Sequence, residues 1–217
     1  ILALWADPLS PNLGVRALAR GLQDGLPGHT IRFASHNLPL NGQQPSVKAL
    51  LVACLGVGPI AAAMRDSDLV IDVGEGDSFT SIYGWKRFAK MTLSKIAAIR
   101  SHTPLILAPQ TLGPWNTRVS KLLARLVLGR ARSVWARDSD SVKRAAHGTD
   151  AGLASDLVFA IDSGRRPNAQ KRYDLVVNVS GLLWNPNAHV DHERYQGLVG
   201  GLLTQAQSAG WRVGILP

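Results

Sequence analysis

The residues best suited to bind a charged ligand follow two short, mostly apolar segments. Gln110 and Gly113 come soon after residues 105–108, and Arg137 comes directly after residues 133–136. Short apolar runs bounded by turn residues are typical of buried strands. In open α/β sheets, ligands bind outside the carboxyl ends of the strands. We therefore expect Gln110, Gly113 and Arg137 to line one cleft together with the loop at Gly74.

Two prolines shape the loop that carries Gln110 and Gly113. Pro109 and Pro114 have no N–H to donate to a neighbouring strand, so we expect the strand to end before Pro109. The chain must then leave the sheet as a loop before the next helix.

Arg137 follows a predicted strand and precedes a predicted helix cap. A guanidinium fixed at that place can hold a phosphate or a carboxylate with two parallel hydrogen bonds. An ion pair with Asp138 or Asp140 would explain the same arginine without a ligand. The sequence leaves both interpretations open.

A glycine-rich loop follows the strand predicted at residues 69–73. Gly74 and Gly76 could bring backbone N–H groups close to an anion, or could simply form a tight turn. The dinucleotide-binding pattern G-x-G-x-x-G would need a third glycine where the chain has Phe79. A nucleotide fingerprint is therefore not predicted here.

The order of these motifs resembles the polysaccharide pyruvyl transferase family. Members have a Q-(S/T)-x-G-P-(F/W) loop and then an R-(D/E)-x-x-S segment, and this chain has PQTLGPW followed by VWARDSDSV. Near the first strand, Asn12 and Gly14 are similar to the family's N-x-G-D, although Val15 replaces the acid. Asn12 could equally serve only to turn the chain into the first helix.

Two further segments carry the resemblance. Asp72, Gly74 and Gly76 fit the family's D-x-x-x-G-G-G-like loop, in which Glu75 here replaces a glycine. Asp156 matches the family's D-P-x-F motif with a leucine in place of the proline, and we expect this carboxylate to bind backbone N–H groups.

The resemblance implies an enzyme that transfers a pyruvyl group from phosphoenolpyruvate to a sugar of a cell-surface glycan. The implied partners are phosphoenolpyruvate and a glycan or lipid-linked sugar acceptor, with no cofactor. Strand-end position and resemblance together predict these substrate-binding residues: Asn12, Gly14, Gly74, Gly76, Gln110, Gly113 and Arg137. No catalytic acid or base is assigned, because the family's histidine in L-P-H would come directly after Pro217.

The elements that must position these residues alternate between strand and helix patterns. This alternation predicts an α/β fold with Rossmann-like parallel sheets. A polar, basic segment at residues 162–172 reads as a linker, so we expect one domain at residues 1–166 and a second at residues 171–217. The resemblance implies a two-domain architecture of the GT-B glycosyltransferase type. The second domain would be truncated, and such a fragment is expected to be inactive alone.

The charge of the chain is concentrated in one segment. The formal net charge is +9, and residues 86–144 contain 13 Lys or Arg against two acids. Arg118, Lys121 and Arg125 share one helix face. This face could be merely solvated, or it could attract an anionic partner such as a phosphorylated substrate or acidic lipid headgroups. We expect a cytoplasmic protein with possible peripheral contact at the inner face of the cell membrane.

Other classes of function are less well supported by the sequence. A nucleotide-sugar-dependent GT-B glycosyltransferase and a non-catalytic basic binding module remain as alternatives. Nucleic-acid binding is not expected, because the four Phe and three Tyr are not interleaved with basic residues. The single cysteine, Cys54, allows no internal disulfide and favours a reducing compartment.

A metal site is not expected either. His189, Asp191 and His192 form a short H-x-D-H cluster, but no other group of ligands converges with it. Asp191 is more simply explained as the N-cap of the following helix.

Overall fold

A computed structural model describes residues 1–77, 79–162, 164, 171–186 and 190–216. Residue contacts divide the chain into two compact units, Ile1–Ser163 and Gly164–Pro217. Most of the predicted linker, together with His189 and Pro217, lies outside the described residues. Each unit is described by itself below.

The first unit contains a six-stranded parallel sheet in the order β2-β1-β3-β4-β5-β6. The strands are β1 (Leu2–Leu4), β2 (Arg32–Ala34), β3 (Val70–Asp72), β4 (Leu105–Gln110), β5 (Ser133–Ala136) and β6 (Gly152–Leu153). The predicted α/β fold with a parallel sheet is confirmed. Because β2 and β3 lie on opposite sides of β1, the chain reverses its direction across the sheet between β1 and β3. Ligand clefts form at such switch points.

The prediction that the fourth strand ends before Pro109 is wrong. β4 continues to Gln110, and its pairing with β5 shifts register between Leu107 and Gln110. Because of this irregularity, the sheet does not need an N–H donor at Pro109, which has none. Gln110 is therefore the last residue of β4 and does not belong to the following loop.

Helices cover both faces of the sheet. They are α1 (Leu13–Gly25), α2 (Val47–Cys54), α3 (Gly58–Arg65), α4 (Trp85–Arg100), α5 (Arg118–Leu128) and α6 (Ser139–Ala145), with 3-10 turns at Gly74–Gly76 and Leu157–Ala160. Polar side chains satisfy the first N–H groups of several helices. The Thr117 side chain caps α5, and the Asp138 side chain caps α6 through the Ser141 N–H at 2.7 Å.

The alternation of side chains along β1 explains the two layers of the core. Leu2 and Leu4 point to the face covered by α2, α3, α4 and α5, whereas Ala3 points to the face covered by α1. Large side chains such as Phe88 are fully buried on the first face. Burying each such side chain contributes about 1.5–3 kcal/mol, which holds the strand ends in fixed positions.

The second unit contains a strand, two helices and a strand. These are β7 (Leu175–Asn178), α7 (Gly181–Trp184), α8 (His192–Ser208) and β8 (Val213–Leu216), and β7 pairs with β8 in parallel. The Asp191 side chain accepts a hydrogen bond from the Arg194 N–H at 3.1 Å, so Asp191 is the N-cap of α8. The Arg212 side chain hydrogen-bonds to Asp174 beside the sheet and lowers the Asp174 pKa to about 2.

No single helix among the described residues is both long and apolar enough to cross a membrane. α2 and α3 together reach the required length and composition, but they are bent by 57° at the break between them.

Candidate functional site

A cleft of about 550 Å³ lies at the switch point of the sheet, and we call it the switch-point cleft. Its walls come from the segments that follow five of the strands. Each segment contributes at least one lining residue, and these include Asp7, His36, Glu75, Arg137 and Asp156. All of these segments leave the carboxyl ends of the strands. The position agrees with the general rule for ligand sites in parallel α/β sheets.

The loop after β3 can approach the sheet only because it has glycine at Gly74. Gly74 has a φ of +62°, and a β-carbon there would overlap the Gln110 Oε1 atom. Gln110 is completely buried beneath this loop. The side chain of Gln110 therefore supports the loop from below and is not itself a wall of the switch-point cleft.

A buried ion pair continues this support into the core. The Gln110 Nε2 atom donates to Asp72 Oδ2 at 2.9 Å, and the Lys95 Nζ atom lies 3.0 Å from the same oxygen. Asp72 and Lys95 are both 0% exposed. Burial lowers the pKa of Lys95, and the Asp72 carboxylate opposes that effect. Lys95 also donates to the Met91 carbonyl at 3.0 Å, which fixes its ammonium group below the loop.

Arg137 lies where the sequence analysis placed it, at the end of β5 and beside Gly76. A β-carbon at Gly76, whose φ is +83°, would lie 3.2 Å from Arg137 Nη1. Arg137 donates from Nε to the Thr111 hydroxyl at 2.8 Å and from Nη1 to Asp156 Oδ2 at 3.0 Å. Its second terminal nitrogen, Nη2, has no hydrogen-bond partner among the described residues.

The ion-pair partner of Arg137 differs from both candidates suggested by the sequence. Asp138 instead caps α6, and Asp140 is paired with Lys143. Asp156 pairs with Arg137 and also accepts from the Val158 N–H at 3.1 Å, as expected for a carboxylate that binds backbone groups. Asp156 is distant in sequence, so only the fold brings the two together.

No sequence pattern predicted the charged cluster on the wall of the cleft. Glu75 has left-handed backbone angles, φ 50° and ψ 22°, and its N–H donates to the Trp5 carbonyl at 3.0 Å. This conformation places Glu75 Oε2 at 2.5 Å from Arg87 Nη2 and Oε1 at 3.7 Å from His36 Nε2. A non-glycine residue in such a conformation is a common feature of functional sites. Replacement of a family glycine by Glu75 was the one available signal.

His36 is suited to accept a proton in this environment. Its ring packs against the Trp5 ring with centres 4.9 Å apart. Burial lowers the pKa of His36, the Glu75 carboxylate opposes this, and the charges of Lys90 and Arg87 lower the pKa further. The imidazole is therefore neutral near pH 7 and can act as a base towards a hydroxyl group.

We expect the His36 imidazole to make stability depend on pH. Because its folded-state pKa is lowered, the unfolded chain binds more protons below about pH 6.5, and stability falls as the pH decreases through this range. Urea unfolding of the wild type and of His36→Gln should show the larger acid loss in the wild type. Identical pH profiles for the two proteins would contradict this expectation.

Asn12 and Gly14 lie at the rim of the switch-point cleft, and their observed contacts are with the chain itself. The Asn12 Oδ1 atom accepts from the Gly14 N–H at 2.9 Å and from the Val15 N–H at 3.3 Å, so it caps α1. A β-carbon at Gly14 would lie 3.2 Å from that oxygen. A role of these residues in substrate binding stays a prediction.

Gly113 does not line the switch-point cleft with Arg137, contrary to expectation. It has a φ of +67°, and a β-carbon there would lie 3.2 Å from the Arg144 Cδ atom and from the Trp115 ring. The Gly113 N–H donates to the Phe79 carbonyl, which pairs the loop after β4 with the loop after β3. Gly113 therefore packs beside α6 and Trp115 and not against Arg137.

The described residues contain no group of three or more His, Cys, Asp or Glu side chains positioned to hold a metal ion. His189 of the H-x-D-H cluster lies outside the described residues. The geometry of the site therefore consists of arginine, carboxylate, imidazole and backbone groups.

Comparison of the sequence with known proteins identifies its family. A model of the family described as polysaccharide pyruvyl transferase matches residues 12–205 of the 217. No curated protein and no solved structure was found to match the chain. The family match spans α1, the glycine-rich loop, the loop after β4 and Arg137. The chain belongs to the polysaccharide pyruvyl transferase family.

Proposed function

We propose that this chain contributes the switch-point cleft to an enzyme that transfers a pyruvyl group from phosphoenolpyruvate to a sugar of a cell-surface glycan. The observation that supports the proposal is the cleft itself, where Arg137 lies in the same cavity as Glu75 and His36. We further propose that the two units are the first domain and the beginning of the second domain of a GT-B architecture.

Arg137 is the proposed contact for the donor. Phosphoenolpyruvate carries a phosphate and a carboxylate, and both require fixed cationic donors. Two of the Arg137 nitrogens are oriented by Thr111 and Asp156, while Nη2 remains open to a ligand oxygen within the described part of the chain. An oriented guanidinium with one open edge can bind an oxyanion with little loss of side-chain entropy.

Glu75 and His36 are the proposed contacts for the acceptor. The switch-point cleft is also lined by Asp7, Asp77 and Asp156, so carboxylates outnumber its two arginines. Carboxylates accept hydrogen bonds from sugar hydroxyls. The neutral His36 imidazole or the Glu75 carboxylate can then take the hydroxyl proton when the oxygen attacks.

The proposed reaction forms a pyruvate ketal in two additions. One sugar oxygen bonds to C2 of phosphoenolpyruvate while the methylene carbon gains a proton and becomes a methyl group. The bond from C2 to the phosphate oxygen breaks, and a second sugar oxygen bonds to C2. Of the two hydroxyl protons, one replaces the proton that the methylene carbon gains, and the other leaves with inorganic phosphate. The resemblance implies the histidine of the family's L-P-H segment as a further acid or base.

The proposal is tested by phosphate release from phosphoenolpyruvate in the presence of glycan acceptors, using the full-length gene product that contains this chain. Arg137→Gln should lower turnover by about 100-fold or more, because it removes an oriented cation from the donor. Arg132→Gln is a matched control, since Arg132 immediately precedes β5, next to its amino end. Equal turnover by the two variants, or transfer from a nucleotide sugar instead, would refute the proposal. The 217-residue chain alone should release no phosphate.

We also propose that the protein is cytoplasmic and rests on the inner face of the cell membrane through α5. On this helix, Val119 and Leu122 are 55% and 66% exposed, and they lie beside the exposed Arg118. Exposed apolar side chains flanked by basic ones are typical of helices that lie at a membrane surface.

We expect Arg118→Gln combined with Leu122→Gln to weaken binding to anionic vesicles by about tenfold or more. Each basic residue near such a surface contributes about 1 kcal/mol, and transfer of the exposed Leu122 side chain from water into the membrane adds to this. Co-sedimentation with anionic and with neutral vesicles measures the effect. Binding that is equal for both vesicle types would argue against a charge-dependent surface.

A further inference from the structure

A second cavity, of about 520 Å³, lies between α5 and α6, and we call it the basic groove. Lys121 and Arg125 line it from α5, and Lys143 and Arg144 line it from α6. His147 adds an imidazole at the end of α6. No Asp or Glu belongs to this lining among the described residues. The volume is within the range typical of small-molecule sites.

The charges of the basic groove are only partly balanced by the protein around it, through Asp138 near Arg144 and Asp140 near Lys143. Lys143 lies 3.5 Å from Asp140, but both side chains are mostly exposed, at 77% and 66%, so this pair is weak. Lys121 and Arg125 have no ion-pair partner within the described part of the chain. Several cations held around one cavity repel one another, and a bound anion would relieve that repulsion.

Close packing of the backbone holds the walls of the basic groove in place. A β-carbon at Gly148 would lie 3.2 Å from the Arg125 Cα atom, so a larger residue would push this turn away from α5. Arg144 donates to the Leu112 carbonyl at 3.4 Å, which orients its guanidinium along the loop after β4. Trp115 forms part of the lining, and its indole Nε1 is buried without an acceptor among the described residues.

We propose that the basic groove binds a phosphate or diphosphate group as a site separate from the switch-point cleft. Lysine ammonium groups and arginine guanidinium groups converging without a carboxylate are suited to the several oxygens of such a group. We assign this phosphate to a phosphorylated glycan acceptor, and that assignment rests on the proposed function above. Phosphate binding itself rests only on the basic groove.

The direct test is calorimetric titration of the 217-residue chain with inorganic pyrophosphate. The wild type should bind one equivalent, and Lys121→Gln combined with Arg125→Gln should weaken binding by about tenfold or more, since two charge-assisted contacts are lost. Lys48→Gln combined with Lys86→Gln removes the same charge from exposed positions outside both cavities and should leave binding nearly unchanged. Equal weakening in both double variants would overturn the proposal.

Two further measurements separate the possible sources of the phosphate and guard against misfolding. Lys143→Gln alone, on the opposite wall, should weaken pyrophosphate binding several-fold while the thermal midpoint stays that of the wild type. If the α5 double variant loses vesicle binding but keeps pyrophosphate binding, the cations serve a membrane surface and the proposal is wrong. Phosphoenolpyruvate turnover by the full-length gene product is measured separately. A wild type that turns over phosphoenolpyruvate but does not bind pyrophosphate would therefore contradict the basic groove and not the proposed function.

Discussion

Replacing Lys95 with methionine is expected to lower the free energy of unfolding by about 3–5 kcal/mol. The ammonium group is fully buried and lies 3.0 Å from Asp72 Oδ2. Methionine fills a similar volume but leaves the Asp72 carboxylate without its cation in a buried position. Gln110 would then be the remaining partner of that oxygen among the described residues, and one neutral amide does not compensate a buried charge.

Urea unfolding measures the loss, and two variants make it specific. Lys86→Met removes an exposed lysine from the same helix and should change stability by less than about 0.5 kcal/mol. Combining Lys95→Met with Asp72→Asn removes both charges and should recover part of the stability lost in the single variant. If Lys95→Met is as mild as Lys86→Met, the buried pair is not an important support of the loop.

Gly74→Ala is expected to cost about 3 kcal/mol, the second large effect on stability. The new methyl group would overlap Gln110 Oε1, and the backbone at a φ of +62° is unfavourable for alanine. Because Gln110 is buried and hydrogen-bonded to Asp72, it cannot move aside without losing those bonds. The glycine-rich loop would be displaced, and turnover should fall with stability.

A matched glycine separates the overlap from the backbone effect. Gly56 has a φ of +80° and open space around the position of a β-carbon, so Gly56→Ala measures the conformational cost alone. The denaturation midpoint of Gly74→Ala should be well below that of Gly56→Ala. In a Gln110→Ala background, the additional cost of Gly74→Ala should shrink. Costs that are equal at both glycines would exclude the overlap as the cause.

The sequence was sufficient to predict features that depend on neighbouring residues. Alternating strand and helix patterns predicted the parallel sheet, and the strand-end rule correctly put Arg137 beside the glycine-rich loop. It failed for Gly113, because the loop after β4 brings that residue beside Arg144 and Trp115 instead. The end of β4 was also misplaced, since a shift in strand register allows Pro109 inside the strand.

The remaining parts of the candidate site depend on contacts between distant segments. His36 and Arg87 meet Glu75 only after β2, β3 and α4 have packed, and no local pattern signals such a meeting. Lys95 is one of the 13 cations counted in residues 86–144, yet it follows Phe88 and Met91 at helical spacing on the buried face. That spacing was a readable signal for its burial.

The order of strands also has a consequence for how fast the first unit folds. Every pairing in its six-stranded sheet is parallel, so each neighbour must arrive through a crossover connection and none can form as a simple hairpin. Domains dominated by such non-local pairings fold slowly, in milliseconds to seconds. Trp5 directly follows β1, and its indole N–H donates to Ser94 Oγ at 2.8 Å across 89 residues of chain. A variant that keeps Trp5 as its single tryptophan, in place of the six of the chain, would therefore report by fluorescence when β1 packs against α4.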